Sequence, residues 1–398
     1  MEKKKIKFIF FALMAWGEGI SGGDKISIEL IRRWSKLYPV TIYLWEEGYR
    51  MYLRQKLNPR QIKFNVVKMI PWKHLGFFVN YLARILAGVL LSLKINLDNK
   101  KTTVIYSATE FWMDSLPGFI LKLRFPKIKW IATWFQTAPN PFIGFSEGER
   151  KPSYKFHALI YWLVQLPIKP LIKKYADLVL VNNEFERKYF IEMDRKKKVM
   201  VFLGAVDLSM IKNFLKETEV REKVFDGVFQ GRFHPQKGVV ELIEIWKMVV
   251  NKKPNAKLAL IGDGPLMEEV KQKINELNLK KHIKLFGYVF DSVKKYKIFQ
   301  ASRVVLHPSF YDSGGMAAAE AMSLGLPAVG FDLVSYKSYY PQGMIKLTVN
   351  DLQGFANAVI VLLNNKKLYL KTGTEARKMI KKNWSWDKRA AEILNYIN

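Results

Sequence analysis

The sequence predicts an α/β protein of two doubly wound domains, and three observations carry that prediction. Strand-like runs that are apolar on both faces alternate with helix-like runs nearly throughout, the pattern of a parallel sheet covered on both sides. The alternation is completed twice, once in each half of the chain. And 398 residues exceed one ordinary core, so two domains of roughly 150–200 residues are expected.

The elements follow in order. An apolar run, Ile6 to Ala15, leads into "GEGISGG", and a helical pattern follows with Ile26, Leu30, Trp34 and Leu37 one turn apart. "VTIYLW" is the next strand. Gly17, Gly19 and Gly22 spell G-x-G-x-x-G, and Glu46 and Glu47 lie beyond the second strand, the outline of a dinucleotide-binding fingerprint. Alone, the glycines fit equally well a loop whose backbone must pass close to something. The basic, short apolar N-terminus imitates a secretory signal but lacks a small-residue cleavage site. Tyr81 to Leu97, broken by Arg84 and Lys94, is too short to span a bilayer and is either a buried helix or one lying in a membrane interface. "TTVIYSA", "KWIATWF" and "DLVLVNN" complete the first set of strands.

The second half repeats the rhythm. "GVFQGRF" precedes a helix carrying Val239, Leu242, Ile243, Trp246, Val249 and Val250 on one face. "KLALIG" precedes one carrying Leu266, Val270, Ile274 and Leu277, and "IKLFG", "RVVLHPS" and "PAVGFD" continue the series. The expected division is 1–203 for a first domain, 204–380 for a second, and 381–398 for a final helix packing back on the first.

Composition bounds the chemistry. Without cysteine there is no disulfide framework, thiolate metal site or thiol nucleophile, and the cytoplasm is the compartment that fits most easily. A net charge of +30 draws anions: nucleic acid, acidic membrane or phosphorylated ligands. Residues 51–109 hold ten Lys or Arg against one acid, Asp98, in a stretch rich in aromatics. With Tyr52, Trp72, Phe77, Phe78 and Tyr81 exposed, that stretch would hold the protein on an anionic membrane; with them buried, the lysines are merely solvated. Nucleic acid is not expected as a partner, since no recognised binding module accompanies the charge.

The most specific segment is "LHPSFYDSGGMAAAEAMSLGLPAVGFD". A strand ends at His307-Pro308, a loop carries Asp312, Gly314 and Gly315, and a helix begins near Met316. The glycines let backbone approach a ligand, and the free amides of the helix start, at Met316 and Ala317, face it with the positive end of the dipole. Glu320 stands one turn into that helix. Upstream, Arg232 and Lys237 follow Gly231 at the end of the second domain's first strand, placed to clamp a diphosphate. Gly262 and Gly264 form a third glycine turn. Together they suit a nucleotide-linked sugar, with the helix end for diphosphate, one carboxylate for ribose and the other for sugar hydroxyls.

These segments resemble the retaining glycosyltransferase family 4, the glycosyl transferases group 1 of GT-B architecture. Gly231-Arg232 with Lys237-Gly238, Gly262-Asp263-Gly264-Pro265, Pro308-Ser309, and Asp312 eight residues before Glu320-Ala321-Met322 stand where that family has G-R…K-G, G-x-G-P, P-S and E-x(7)-E-A-M. "FLGAVD" resembles its N-G-V-D turn. The resemblance implies two Rossmann-like domains facing across a cleft, a UDP-, GDP- or ADP-sugar donor with no further cofactor, and a glycan or lipid-linked acceptor on the first domain. It implies catalytic roles for Arg232, Lys237, Asp312 and Glu320, and donor contacts from Gly22, Gly23, Gly231, Gly262, Gly264, Gly314, Gly315, Met316 and Ala317. No D-x-D occurs, so no metal is expected. Two departures stand out: Asp312 is one methylene shorter than the usual Glu, and Phe135-Gln136 occupies the place of a first-domain His. Gln136 can hydrogen-bond a sugar or backbone but cannot be protonated, which also admits a sugar-nucleotide-binding pseudoenzyme or regulatory subunit.

Overall fold

The computed structural model describes residues 6–15, 20–68, 76–97, 102–145, 155–191, 198–219, 222–290 and 292–397. Two compact units divide the chain: Met1–Ala138, Ile160–Gly204 and Trp386–Asn398 in one, Pro139–Leu159 and Ala205–Ser385 in the other.

The first unit runs β1 (Ile6–Ala12), α1 (Gly22–Trp34), β2 (Val40–Trp45), α2 (Glu46–Arg54), β3 (Ile62–Val67), α3 (Phe77–Lys94), β4 (Thr102–Ser107), α4 (Trp112–Arg124), β5 (Lys129–Trp134), α5 (Lys155–Tyr175, of which the part from Ile160 on belongs to this unit), β6 (Leu178–Val181), α6 (Glu184–Lys188) and β7 (Lys198–Val201). Its strands pair in the order β3-β2-β1-β4-β5-β6-β7, every pair parallel. The order reverses between β1 and β4, and the chain leaving those strands opens the crevice where such sheets bind ligands. The central strands are buried on both faces because both carry helices. Trp34 of α1 stacks on Phe8 of β1 with ring centroids 4.5 Å apart. Leu37, expected on that helix face, lies beyond the end of α1 and is 68% exposed.

The second unit runs α7 (Leu208–Glu217), β8 (Phe225–Gln230), α8 (Val239–Lys252), β9 (Leu258–Ile261), α9 (Met267–Glu276), β10 (Ile283–Leu285), α10 (Ser292–Gln300), β11 (Ser302–His307), α11 (Met316–Ser323), β12 (Ala328–Phe331), α12 (Val334–Tyr339), β13 (Met344–Leu347), α13 (Leu352–Asn364) and α14 (Lys366–Asn383). The sheet is again parallel, ordered β10-β9-β8-β11-β12-β13, with its switch point between β8 and β11. Trp246, Phe229, Leu306 and Phe331 lie in one buried cluster on this sheet.

The last helix, α15 (Trp386–Ile397), belongs to the first unit. There Arg33 Nε donates to Asp387 at 2.7 Å, and Trp34 Nε1 to the Ala390 carbonyl at 3.3 Å. No helix among the described residues is long and apolar enough to cross a membrane.

Candidate functional site

The second unit gathers its polar residues at the switch point. After β8 the chain passes Gly231 and Arg232 and makes a short 3-10 turn, Pro235–Lys237. Gly238 then takes φ +64°, and a Cβ on it would lie 2.0 Å from the Pro308 carbonyl oxygen. Only glycine lets this turn abut the loop that leaves β11. The two loops are bonded directly, with Phe310 N donating to the Gln236 carbonyl at 2.8 Å. Lys237 is thereby delivered to Asp312.

Asp312 is the hub. Its carboxylate accepts from Lys237 Nζ at 2.5 Å, from Tyr336 Oη at 3.1 Å, and from the amides of Gly314 and Gly315 at 3.2 and 3.1 Å. His307 Nε2 stands 3.5 Å from it. Burial alone would raise this carboxyl's pKa; the Lys237 ammonium, helped by His307, overrides burial and holds it well below the usual range. Burial lowers the pKa of His307, against the opposing pull of the Asp312 carboxylate. His234 is likewise pushed down, to about 4, by burial and then by Arg232 and Lys237.

Gly315 takes φ +60° as N-cap of α11, with no capping side chain. Since the Gly314 and Gly315 amides serve Asp312, the ones directed outward are those of Met316 and Ala317, the first two residues of the helix. Glu320, the fifth residue of α11, forms an ion pair with Lys295 of α10, both side chains largely buried. Arg232 is exposed, and its guanidinium makes no ion pair among the described residues. Gly262 and Gly264 pack against the first loop: Cβ atoms there would meet the carbonyl oxygens of Gly231 and Phe233 at 1.9 and 2.5 Å. One unit thus holds cations, outward amides and an oriented carboxylate together, a combination suited to a polyanion joined to a diol.

The first unit has its own cluster. Gly22 opens α1, capped by Ser21 and Asp24 in a reciprocal capping box. Gly23 lies against the Phe135 ring. The Gln136 carbonyl accepts from Gln165 Nε2 at 2.7 Å, while Gln136 Nε2 is buried without a partner among the described residues. Tyr161 Oη stands 2.7 Å from Glu110 Oε1 and 3.0 Å from the Gln136 carbonyl. One hydroxyl proton cannot fully serve two acceptors. Burial raises the Glu110 pKa to about 7, and a neutral Glu110 donating to Tyr161, which donates to Gln136, satisfies all three groups. Asp114, raised to about 8 by burial, accepts from the amides of Leu13 and Met14, while Arg84 donates to the carbonyls of Leu13 and Ala15. These contacts grip the chain just ahead of Gly17 and Gly19, which lie outside the described residues.

Several expectations change. Tyr52 is buried and Tyr81 packs against the core, so neither is a surface aromatic. Trp72 and the side chain of Phe77 lie outside the described residues; Phe78 is 61% exposed. Lys295, His307, Tyr336 and Glu110 were not singled out from the sequence. Lys295 sits in "SVKKYK", where one lysine among three looks solvated, and its partner is 25 residues away. Glu110 is a single acid in a loop with no motif around it. Among the described residues, no three His, Asp or Glu are placed to hold a metal.

Comparison with known proteins adds to this geometry. Residues 210–379 match the family described as glycosyl transferases group 1. An uncharacterised glycosyltransferase of Methanocaldococcus jannaschii is 26% identical over 366 residues, 87% of this chain and 89% of that protein. The UDP-Gal:alpha-D-GlcNAc-diphosphoundecaprenol alpha-1,3-galactosyltransferase of Escherichia coli is 29% identical over 185 residues, 43% of this chain and 46% of that one. Across the first curated relatives the match spans from 34% to 89% of their length. Among solved structures, Anabaena HepE in complex with UDP and glucose superposes with a TM-score of 0.70 at 16% identity over 99% of both chains.

Proposed function

We propose that this chain is a retaining glycosyltransferase, because residues 210–379 match the glycosyl transferases group 1 family and the fold is two parallel-sheet α/β units. It moves a sugar from a UDP-, GDP- or ADP-sugar to a hydroxyl of a glycan or lipid-linked acceptor, at the cytoplasmic face of an anionic membrane. The observation that carries the proposal is the convergence of Lys237, Asp312, the start of α11 and Glu320 at the switch point of the second unit. The complex of HepE with UDP and glucose supports the donor class, and the lipid-linked substrate in the name of the Escherichia coli relative supports the acceptor class.

In this reading the bond between the anomeric carbon and the diphosphate oxygen breaks first. Negative charge gathers on the leaving group, so groups that stabilise it lower the barrier most. Arg232, Lys237 and the amides of Met316 and Ala317 supply that stabilisation without a metal. Asp312 holds Lys237 and shapes the loop, and Glu320 accepts from the ribose hydroxyls. The acceptor oxygen bonds to the same face of the sugar, and its proton passes to the departing phosphate oxygen. A second reading, a sugar-nucleotide-binding pseudoenzyme, is favoured by Gln136, which cannot take the role of a protonated His.

The test is a panel of UDP-, GDP- and ADP-sugars, read by thermal shift and by release of the nucleoside diphosphate with and without EDTA. A ligand that binds only the folded chain raises its melting temperature. One donor is expected to stabilise the protein and to be turned over equally with EDTA present. Stabilisation without turnover over a range of acceptors supports the pseudoenzyme; stabilisation by none of the panel refutes both readings.

A further inference from the structure

The helical layer formed by α3, α4 and α5 presents a surface that the sugar-transfer chemistry does not use. Right-handed crossovers from β3 to β4, β4 to β5 and β5 to β6 place these three helices on one face of the first sheet. They are packed tightly: a Cβ on Gly88 of α3 would lie 2.8 Å from the Met113 carbonyl of α4, and Trp112 Nε1 of α4 donates to the Val164 carbonyl of α5 at 2.6 Å. The inner side of α3 is occupied by Ala83, Arg84 and Ser92. Its outer side exposes Phe78, Leu82, Leu86, Leu90 and Leu93, at spacings of four, four, four and three. No charged residue interrupts that stripe, and Leu82 is 63% exposed. On α5, Trp162, Leu163 and Leu166 are exposed in the same way. Eight large apolar side chains exposed on neighbouring helices mark a contact site.

The charge pattern chooses the occupant. Neither α3 nor α5 contains an acid, and the one acid of α4, Asp114, is buried. Each helix leads into a parallel strand, so the C-terminal ends of all three share one edge of the layer. Lys94, Arg124, Lys127, Lys173 and Lys174 gather at that edge. A second copy of this chain docked there would set like charges against one another. A purely polyanionic partner would leave the leucines in water. An acidic bilayer satisfies both features, with headgroups against the cations and the acyl boundary against the apolar stripes.

We propose that the outer faces of α3 and α5 form a two-helix seat that inserts shallowly into an anionic lipid surface. The seat deepens the membrane side of the proposed function, and its failure would leave the sugar-transfer reading standing. Two stripes fix the orientation of the first unit on the bilayer, which one stripe would not do. Binding is reversible, because each cation near the surface strengthens it only about fivefold.

The test is sedimentation of the full chain with phosphatidylcholine vesicles, with and without phosphatidylglycerol, at low and high salt. The comparison is with Leu82→Glu/Leu86→Glu and, separately, Lys173→Gln/Lys174→Gln. Melting temperature and the response to nucleotide sugars confirm that each variant is folded. The wild type is expected to sediment with phosphatidylglycerol vesicles and to be released by high salt. The double Glu variant is expected to lose at least about a hundredfold in binding, since it replaces two inserted leucines with charges. The double Gln variant is expected to lose about twenty-five-fold, fivefold for each cation. The proposal is overturned by absence of vesicle binding at low salt, by binding the double Glu variant retains, or by equal binding to neutral vesicles. Self-association abolished by Leu82→Glu/Leu86→Glu, without lipid binding, would assign the face to a second copy instead.

Discussion

Replacing Lys237 with Met should cost the second unit far more stability than replacing Arg232 with Met, although both cations are assigned to the same leaving group. The Lys237 side chain is 17% exposed and its partner Asp312 is 8% exposed. Removing one member of a buried pair typically costs about 3–5 kcal/mol, because the remaining charge is left uncompensated. Asp312 would still accept from Tyr336 Oη and the amides of Gly314 and Gly315, so the lower figure, about 3 kcal/mol, applies. For a unit of this size each kcal/mol moves the melting temperature by about 2–4 °C, which gives a fall of about 6–12 °C. Arg232 is exposed and unpaired among the described residues, so Arg232→Met should stay within about 2 °C of wild type. The deficit also has a pH signature. In the wild type the folded-state pKa of Asp312 is depressed, so its contribution is present above the ordinary carboxylate range and is lost only in strong acid. In Lys237→Met burial acts without its counter-charge and raises that pKa. The deficit is therefore largest at neutral pH and narrows as pH falls below about 4. Calorimetry of the three proteins at neutral and acid pH makes the comparison. Equal melting of Lys237→Met and Arg232→Met would refute the assignment of Asp312 as the hub.

Three further outcomes are expected. Glu110 has its pKa raised from 4.5 to about 7, so the folded state disfavours its ionised form and stability is lost as pH rises through that window. Glu110→Gln should match the wild type near pH 4.5 and exceed it by up to about 3 kcal/mol at pH 8 in urea titrations; a difference independent of pH would contradict the assigned environment. Lys295→Met should weaken nucleoside diphosphate binding by acting through Glu320. Calorimetry should therefore find Lys295→Met/Glu320→Ala no weaker than Glu320→Ala alone, and additive losses would separate the two residues. Gly238→Ala should lose about 2 kcal/mol or more, since its Cβ would collide with the Pro308 carbonyl and its φ is left-handed; an unchanged urea midpoint would show that the loop gives way.

What could be read from the sequence depended on how uniform each segment's surroundings are. Strands covered on both faces, such as β2, β5 and β9, announce themselves as unbroken apolar runs. The edge strand β3 does not: "IKFNVV" is only partly buried, and within a lysine-rich stretch it carries no clear period. Edge strand β13, "MIKL", is four residues long and mostly half-buried, so it shows no clear period either. Loop chemistry was legible where glycine and charge coincide in a fixed order, as from Arg232 to Gly238. Pairings were not, because Lys237 with Asp312 and Lys295 with Glu320 are tertiary facts that local patterns do not encode. Tyr52 reads as a surface aromatic among cations, yet α2 turns it inward. The stripe of α3 needed the structure to decide between burial and exposure, since Leu86 and Leu90 are exposed while Ala83 and Ser92 of the same apolar run are buried.

The helix α15 has a consequence for the order in which the molecule is made. It supplies the Ala390 carbonyl to Trp34 and Asp387 to Arg33, yet the whole of the second unit's main segment, Ala205–Ser385, is translated before it. At about 5–20 residues per second, roughly 10–40 s of synthesis separate the emergence of the first unit's other elements from that of the helix that completes them. During that interval the flank of α1 that α15 will cover faces solvent and whatever holds nascent chains. Every segment of the second unit has been made by Ser385, while the first must wait. The earlier-made half of this protein is thus the later to mature, and damage to α15 should show first as poor yield of intact chain rather than as a fault in the finished molecule.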